Sequence, residues 1–439
     1  MAWAIALSVL SAILTILLIN FGLLRSTALF LFFLVAILTF TYPFQAYLLL
    51  NIFKPIIDAF YDFQLGPLKI TQMVSVYAVV VWFSYLFIKR RITQPLTLFD
   101  YVNFLFLLLL PAPLLFAPGI PTLESSFRLL SGWGFYWLAR ETEKNEERAL
   151  EIAFILSGIF PTVMGILSLM GFVPNAFHEE ELKRLKAVYY DATSFGFELV
   201  PMWSFLLYRL NRKFSLPEAI LFFLSSYLIY KTYTRALWTS AFLTVLLTAL
   251  MGGKFSRFSL IFSFVYAVLN FDEILLRFSE RGIGTDPESF NGRIQIWMLG
   301  LSRYLSLDPF EMFFGVSVAG KPMGIFLHNL FLVFLFDYGI LGALLFSVWT
   351  LMVILLIFKS KGEKKFVFVS GAIFSFVGGL TTGSFLYPNF QWFVMSSFGL
   401  LVKDHIGKFV SEDLQVAGAS KPKKPKPRNS KYEAQDKLV

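Results

Sequence analysis

The sequence predicts an all-α, polytopic membrane protein with about twelve transmembrane helices. Of its 439 residues, 57% are hydrophobic and only 15% are charged, and the mean hydropathy is +0.67. The apolar residues form runs of roughly the 20 residues that a helix needs to cross a bilayer. Together these observations favour a bundle of lipid-facing helices over a water-soluble domain.

The cysteine and histidine content excludes several kinds of site. No cysteine is present, so disulfides, thiol catalysis and thiolate metal sites are all excluded. The three histidines, His178, His328 and His405, are too few and too scattered to predict a His-rich metal centre. The sequence has no P-loop, no Rossmann glycine pattern, no internal repeat and no nucleic-acid-binding module. We therefore expect no metal, no cofactor and no nucleic-acid partner.

The apolar runs define the predicted spans. The first, Trp3 to Leu24, lacks a basic leading segment and a small-residue cleavage site, so it is interpreted as a retained span and not as a signal peptide. Spans are predicted near 3–24, 27–49, 67–88, 98–116, 120–138, 150–171, 194–209, 215–232, 236–251, 257–271, 326–358, 366–386 and 391–402. Because an odd number of spans would place Met1 outside, one early or late run is left open as a re-entrant segment.

Basic clusters set the predicted orientation. They follow alternate spans, as the positive-inside rule requires of cytoplasmic loops. The clusters are "KRR" (89–91), "RETEKNEER" (140–148), "RLNRK" (209–213), "GGKFSR" (252–257) and "KSKGEKK" (359–365). The opposite, extracytoplasmic face then receives 50–66, 172–193, 233–235, 272–325 and 387–390.

This orientation divides the chain into four parts. They are a transmembrane bundle (1–271), a large extracytoplasmic loop with short helices (272–325), further transmembrane helices (326–402) and a cytoplasmic tail (403–439). The tail is rich in Lys and Pro from Lys421 onward and is expected to be disordered. Its charges can remain in water or contact anionic lipid headgroups.

Polar residues collect near the extracytoplasmic face. His328 and Asn329 stand at the head of the apolar run "LHNLFLVFLFDYGILGALLF", where burial costs free energy unless both side chains have partners. Arg293 and Trp297 share one face of a helix predicted to begin at Asn291. For Arg293 the alternatives stay open: a side chain turned inward from the membrane surface, an interfacial anchor, or an ion pair with Glu288 or Asp286.

Two further polar segments fall at or within predicted spans. Arg235 in "KTYTRALWTS" could snorkel, but the surrounding hydroxyl groups favour a hydrated pocket. Glu198 lies inside a span and is expected to face the bundle interior, as part of a pathway or of a structural pair. Glu124 and Arg128, four residues apart, are predicted to form an ion pair. The segment "HEEELKRLK", which contains His178, is predicted to be a solvated surface helix.

These residue types suit one class of chemistry. A neutral histidine can accept a proton from a hydroxyl group near pH 7. Arginine guanidinium groups match phosphate oxygens in a bidentate manner. A histidine beside several arginines therefore suits the attack of a sugar hydroxyl on a carbon that bears a phosphate or diphosphate leaving group.

The same residues resemble a known family. His328 and Asn329, followed by "GILG" with Gly339 and Gly342, resemble the His-Asn…Gly-x-x-Gly signature of bacterial O-antigen ligases and of the related O-antigen polymerases and protein O-oligosaccharyltransferases. "TYTRALW" resembles the Ser/Thr-x-Arg segment of that family, "NGRIQIW" its Gly-Arg…Trp segment, and "DPFEMFFGVSVAG" the loop that follows. "DATSFGFELVP" lacks the Pro-Asn pair of the family. The resemblance covers roughly residues 190–345.

The resemblance implies a metal-independent glycosyltransferase of the GT-C type, in the bacterial inner membrane with its active site facing the periplasm. The donor would be a glycan linked to undecaprenyl diphosphate, and the reaction would invert the anomeric carbon. By position, His328 would be the catalytic base and Asn329 would orient the imidazole or cap the next helix. The donor diphosphate would be bound by Arg235 and Arg293 and, as weaker candidates, by Arg281, Arg303 and Lys321, with Glu198 in support.

The acceptor stays open. An O-antigen ligase, the leading interpretation, would use the lipid A-core oligosaccharide. A polymerase would use another lipid-linked repeat and could require a chain-length regulator, and an oligosaccharyltransferase would use a protein Ser or Thr. A lipid-diphosphate transporter is the alternative from another class, but polar groups crowded at one face with a large loop favour an enzyme over a transporter. Membrane lipids are expected partners in every case.

Overall fold

A computed structural model of the protein describes residues 39–65, 68–88, 94–116, 119–178, 183–279, 290–316, 329–360, 362–382 and 388–419. The described residues are mostly helical, which confirms the all-α class. Within them, β-structure is limited to two short antiparallel hairpins. One hairpin pairs β1 (Gln64–Leu65) with β2 (Leu68–Lys69), and the other pairs β3 (Phe177–His178) with β4 (Arg184–Leu185).

The helices are numbered in chain order over the described residues. They are α1 (Pro43–Asp58), α2 (Ile70–Phe83, continued by a π-helical turn, Ser84–Ile88), α3 (Leu98–Leu109), α4 (Ala112–Phe116), α5 (Ile120–Arg140), α6 (Lys144–Ser157), α7 (Ile159–Leu169), α8 (Ala192–Arg212), α9 (Leu216–Lys231), α10 (Arg235–Leu250), α11 (Lys254–Leu269), α12 (Phe271–Ser279), α13 (Phe290–Leu305), α14 (Pro309–Phe314), α15 (Leu330–Lys359), α16 (Lys365–Thr382) and α17 (Pro388–Ala419).

Several of these helices have the character of membrane spans. Among the described residues, three segments are long and apolar enough to cross a membrane: Ile70–Phe87, Lys144–Leu169 and Leu330–Lys359. Shorter apolar helical segments are Leu98–Leu114, Arg235–Leu250 and Lys365–Gly379. The protein thus has helices suited to a bilayer, while the number of about twelve spans stays a prediction.

The core is built from large aromatic side chains on α5, α8 and α17. Trp137, Trp203 and Trp392 are almost completely buried, and Phe135 stacks on Trp392 with their ring centroids 4.2 Å apart. Stacked and edge-on ring pairs at such distances add to the stabilisation gained from burial alone. Helix α17 therefore lies inside the bundle, against α5.

Ion pairs gather at one end of the bundle, which we call the basic end. Glu147 on α6 contacts Lys364, just before α16, and Lys403 on α17, the latter at 3.1 Å. Arg209 on α8 contacts Glu218 on α9 at 2.7 Å. Four of the predicted cytoplasmic clusters, 140–148, 209–213, 252–257 and 359–365, thus share one end, since Asn211 also contacts Ser256. The "KRR" cluster lies outside the described residues.

The opposite end, which we call the site end, holds the other termini of the same helices. Contacts join the last residues of α1 and α9 to the segment that leads into α8, through Tyr189 and Arg184. Asn389 in the first turn of α17 contacts Glu198 on α8. The predicted extracytoplasmic loops are therefore neighbours in space.

The prediction of a loop over 50–66 is wrong for residues 50–58, because α1 continues to Asp58. Lys54 and Asp58 form an ion pair within this helix, and the Lys54 side chain is fully buried. The internal pair lets two charged residues remain helical inside the bundle.

Two predicted spans are broken. The span 98–116 is divided near Leu110, where Pro111 interrupts the helix between α3 and α4. The span 150–171 begins earlier, at Lys144, and is divided at Gly158 between α6 and α7. At Gly158, an added Cβ would overlap the side chain of Met202, so the break coincides with a close approach of α8.

The surface helix predicted in "HEEELKRLK" is also wrong. His178 and Arg184 are instead opposite each other in the β3–β4 hairpin, and residues 179–182 lie outside the described part of the chain. Leu185 is fully buried, so the hairpin is anchored to the bundle by an apolar side chain. Toward the C-terminus, α17 extends to Ala419, so residues 403–419 of the predicted tail are helical, whereas the Lys- and Pro-rich segment from Lys421 lies outside the described residues.

Two local predictions are confirmed. Arg128 donates to Glu124 at 2.6 Å, as their spacing on α5 requires. Helix α13 begins at Phe290, one residue before the predicted start. With α12 and α14, it supplies short helices within the segment 272–325.

Candidate functional site

The candidate site is the tight turn between α9 and α10, residues 232–234, together with the residues that hold it. Thr234 is the N-cap of α10, so Arg235 occupies the first helical position. Tyr233 has a φ of 49°, in the left-handed region that non-glycine residues rarely adopt. The turn needs this conformation because Lys231 ends one helix and Arg235 begins the next.

Arg184 on β4 brings a second guanidinium group to this turn. Its Nε donates to the Thr232 carbonyl at 3.2 Å, and its Nη2 lies 3.3 Å from the Thr234 hydroxyl oxygen. The carbonyl belongs to the C-terminal end of α9, where a cation is favoured by the helix dipole. Arg184 and Arg235 are therefore anchored at the two ends of one three-residue turn.

Glu273 on α12 holds the turn from another direction. Tyr230 and Tyr233 donate hydrogen bonds to its carboxylate at 2.8 and 2.9 Å, and the Lys231 ammonium lies 3.6 Å away. Desolvation alone would raise the pKa of Glu273, but these hydrogen bonds and the nearby lysine outweigh it and lower the pKa below its ordinary value. The carboxylate is therefore ionised at neutral pH.

Aromatic packing makes this arrangement rigid. Tyr230 stacks on Trp238 with ring centroids 5.0 Å apart and meets Tyr266 edge-on at the same separation. The Trp238 indole also donates to the Tyr230 carbonyl at 3.0 Å. These aromatic side chains therefore connect the turn to α10 and α11. The backbone near Arg184, Lys231 and Arg235 is thereby held rigidly.

Asn329 begins α15 at the same end of the bundle. It is the N-cap of this helix, and its side chain accepts a hydrogen bond from the Leu332 amide at 3.1 Å. The resemblance implies two roles for Asn329, and this hydrogen bond corresponds to the capping role. His328, which precedes it in sequence, lies outside the described residues, as do Arg281 and Lys321.

The helix that follows is broken at Gly339, the first glycine of "GILG". Gly339 has a φ of 66°, and an added Cβ would overlap the backbone at Phe313, just before α14 ends. Gly315 has a φ of 89° and approaches the backbone of Asp337 in the same way. The Val316 amide donates to the Phe336 carbonyl at 2.8 Å. Two glycines thus let the segment after α13 dock on the first turns of α15.

Arg293 and Arg303 lie on α13. Arg293 is partly buried on the same face as Trp297, as the helical spacing predicts, while Arg303 is exposed in the last turn. Tyr304 packs against Phe336, with ring centroids 5.3 Å apart. The C-terminal part of α13 is therefore fixed on α15.

Glu198 belongs to a separate buried polar cluster at the site end. It accepts a hydrogen bond from Asn389 at 2.7 Å, and its carboxyl lies beside that of Asp58. Lys54 pairs with Asp58 and lies 5.5 Å from the centre of the Trp392 ring. The described contacts of Glu198 therefore connect it to α1 and α17, which gives it a supporting role in this end of the bundle.

Sequence reasoning missed Arg184, Lys54, Asp58, Asn389 and Glu273. The spacing of Lys54 and Asp58 was a usable signal, since residues four apart on a helix are neighbours. Arg184 gave no such signal, because its contact with Thr232 spans 48 positions of the chain.

The described residues contain no group of three or more His, Cys, Asp or Glu side chains placed to hold a metal ion. Compared with protein-family models and with curated proteins, the chain matches none of them.

Proposed function

We propose that the protein is a membrane glycosyltransferase resembling O-antigen ligases. It would move a glycan from undecaprenyl diphosphate to a lipid A-core acceptor at the periplasmic face of the bacterial inner membrane, with inversion and without a metal or cofactor. The observation that carries the proposal is the α9–α10 turn, which anchors Arg184 next to the predicted diphosphate ligand Arg235.

Charge and geometry support this assignment. A diphosphate leaving group gains negative charge as the glycosidic bond breaks, and fixed cations stabilise that charge without reorganising during the reaction. Guanidinium groups bind phosphate oxygens in pairs, and a rigid turn keeps both of them in position. The aromatic contacts of Tyr230 and the hydrogen bonds of Glu273 supply that rigidity.

The location of the turn also supports the proposal. The turn lies at the site end, opposite the ion pairs of Glu147 and Arg209 and the four basic clusters there. If those clusters face the cytoplasm, as the positive-inside rule predicts, the turn faces the periplasm. That is the side on which the family resemblance requires the donor.

In the proposed reaction, His328 accepts the proton of an acceptor sugar hydroxyl. The hydroxyl oxygen then attacks the anomeric carbon, the bond from that carbon to the diphosphate oxygen breaks, and undecaprenyl diphosphate leaves with both bonding electrons. Arg235 and Arg184 bind the departing diphosphate, with Arg293 as a further ligand. Attack from the face opposite the leaving group inverts the anomeric carbon.

The first test uses purified protein in detergent with a lipid-linked glycan, with and without lipid A-core. We expect product only when the acceptor is present. Chain growth without acceptor would indicate a polymerase, and the absence of transfer to any acceptor would contradict the proposal. Activity should persist after treatment with a chelator.

The second test concerns the arginines. Arg184→Ala and Arg235→Ala should each reduce kcat/KM by roughly 10- to 100-fold, since one charge-assisted contact contributes about 1.5–3 kcal/mol. The matched control is Arg148→Ala, an exposed arginine in the 140–148 cluster at the basic end. Equal kinetics for the control and both site variants would show that the turn does not bind the donor.

The third test concerns His328. Loss of transfer in His328→Ala, with folding retained, would support its role as base.

A further inference from the structure

A long apolar groove lies on the side of the bundle between α9 and α11, and runs from the basic end to Tyr227, one helical turn before Lys231. We call it the lateral groove; its volume is 1010 Å³. Its α9 wall consists of Leu216, Ala219, Ile220, Phe223, Leu224 and Tyr227, which form one helical stripe. Phe255 and Phe258 of α11 form the other wall, and Phe258 is 56% exposed.

The two ends of the lateral groove differ. Arg212, at the end of α8, and Lys254, at the start of α11, line it at the basic end. Hydrogen bonds between Asn211 and Ser256 hold these two helix ends together, at 2.8 and 3.1 Å. From there the walls are aromatic and aliphatic as far as Tyr227. The groove therefore combines a cationic mouth with an apolar channel.

Arg212 is largely exposed to a ligand, although its guanidinium group also contacts Tyr208. It pairs with Glu363 at 4.0 Å, and the two side chains are 67% and 49% exposed. Such an exposed ion pair contributes little, so exchanging Glu363 for a ligand phosphate costs little. Lys254 is also exposed, at the first position of its helix.

The length of the groove matches one membrane leaflet. From Leu216 to Tyr227, α9 rises roughly 17 Å at 1.5 Å per residue. The hydrocarbon core of a bilayer is about 30 Å thick, so one leaflet accounts for about half of that. A lipid with its headgroup at Arg212 and Lys254 would therefore lay its acyl chains along the whole groove.

We propose that the lateral groove binds an anionic phospholipid of the leaflet at the basic end, with its phosphate at Arg212 and Lys254 and its acyl chains against α9 and α11. Basic pockets between transmembrane helices are suited to such headgroups, and apolar walls are suited to their chains. This site is distinct from the proposed transfer reaction, which uses the other end of the bundle.

The test measures lipid affinity of the full-length protein in a neutral detergent, by native mass spectrometry and by the lipid-dependent shift of the thermal unfolding midpoint. Phosphatidylglycerol should bind more tightly than phosphatidylcholine. In Arg212→Gln/Lys254→Gln, affinity for phosphatidylglycerol should fall roughly 30-fold, from two charges near a membrane surface. The matched control, Lys144→Gln/Lys359→Gln, removes two exposed lysines at the same end and should keep wild-type affinity.

A third variant tests the apolar part. Ile220→Trp narrows the groove without altering charge and should also weaken phosphatidylglycerol binding, while water-soluble glycerol phosphate should fail to compete. Equal binding of both lipids to the wild type, or equal loss in the charge variant and its control, would overturn the proposal. Unchanged binding to Ile220→Trp, or competition by glycerol phosphate, would overturn the lipid assignment.

Discussion

Lys54 is the residue whose environment is most demanding. Its side chain is fully buried and pairs with Asp58, and the acidic side chain of Glu198 lies close to both. The Lys54 ammonium group is 5.5 Å from the centre of the Trp392 ring, and Asn389 donates a hydrogen bond to Glu198. Since a charge inside a bundle costs several kcal/mol without partners, this cluster is stable only as a set.

Removing Lys54 should therefore be costly. Lys54→Ala leaves the Asp58 carboxylate without its cation inside the bundle and should lower the free energy of unfolding by about 3–5 kcal/mol. The measurement is thermal unfolding in detergent, with Lys213→Ala, at an exposed position, as the control. In Lys54→Ala/Asp58→Asn the carboxylate of the ion pair is also removed, so part of the loss should be recovered. A Lys54→Ala protein as stable as the control would contradict this account.

At the scale of the element, the break in α15 occurs at Gly339, the first glycine of the "GILG" motif. Gly339→Ala places a Cβ at positive φ, which costs about 1–3 kcal/mol, and also against the backbone at Phe313. Gly362→Ala is the matched control, because its φ is 92° but nothing lies within 4 Å of the added Cβ. We expect a clearly larger loss of thermal stability for Gly339→Ala. Equal losses would mean that the contact between α14 and α15 contributes nothing.

The attachment of α12 to the α9–α10 turn should depend on pH. The pKa of Glu273 is lower in the folded protein than its ordinary value of 4.5, so its bonds to Tyr230 and Tyr233 stabilise the fold above pH 4.5. That contribution is lost as the pH falls from 4.5 through the folded pKa. Hydrogen exchange in α12 should increase over this range in the wild type. A Glu273→Gln variant should lack this pH dependence, and the same profile in both proteins would contradict the assignment.

At the scale of the whole molecule, hydropathy predicted much of the fold. The helices near 120–138, 215–232 and 236–251 agree with the structure to within a few residues, because long apolar runs leave little choice but a helix. Errors occurred where a polar residue interrupted the pattern. Lys54 is charged but buried and pairs with the partly buried Asp58, so hydropathy alone ends α1 too early. In "HEEELKRLK" the many charged residues concealed a hairpin.

The candidate site was predictable only in part. Arg235 could be identified because its segment is short and contiguous and resembles a family motif. Arg184 and Glu273 reach the same turn from positions 48 residues before Thr232 and 40 residues after Tyr233, through a hairpin and a short helix. Periodicity within a single helix contains no information about such contacts, so they required the three-dimensional structure.

The position of Lys54 also bears on the order in which its buried contacts can form during synthesis and membrane insertion. Transmembrane helices are synthesised from the N-terminus, and Trp392 follows Lys54 by 338 residues (392 − 54). Among the described partners of Lys54, Asp58 is present as soon as α1 is made, whereas Glu198 and Trp392 come much later. During biogenesis the ion pair within α1 must neutralise the lysine by itself. The site end reaches its final packing only after the last helix of the bundle has been inserted.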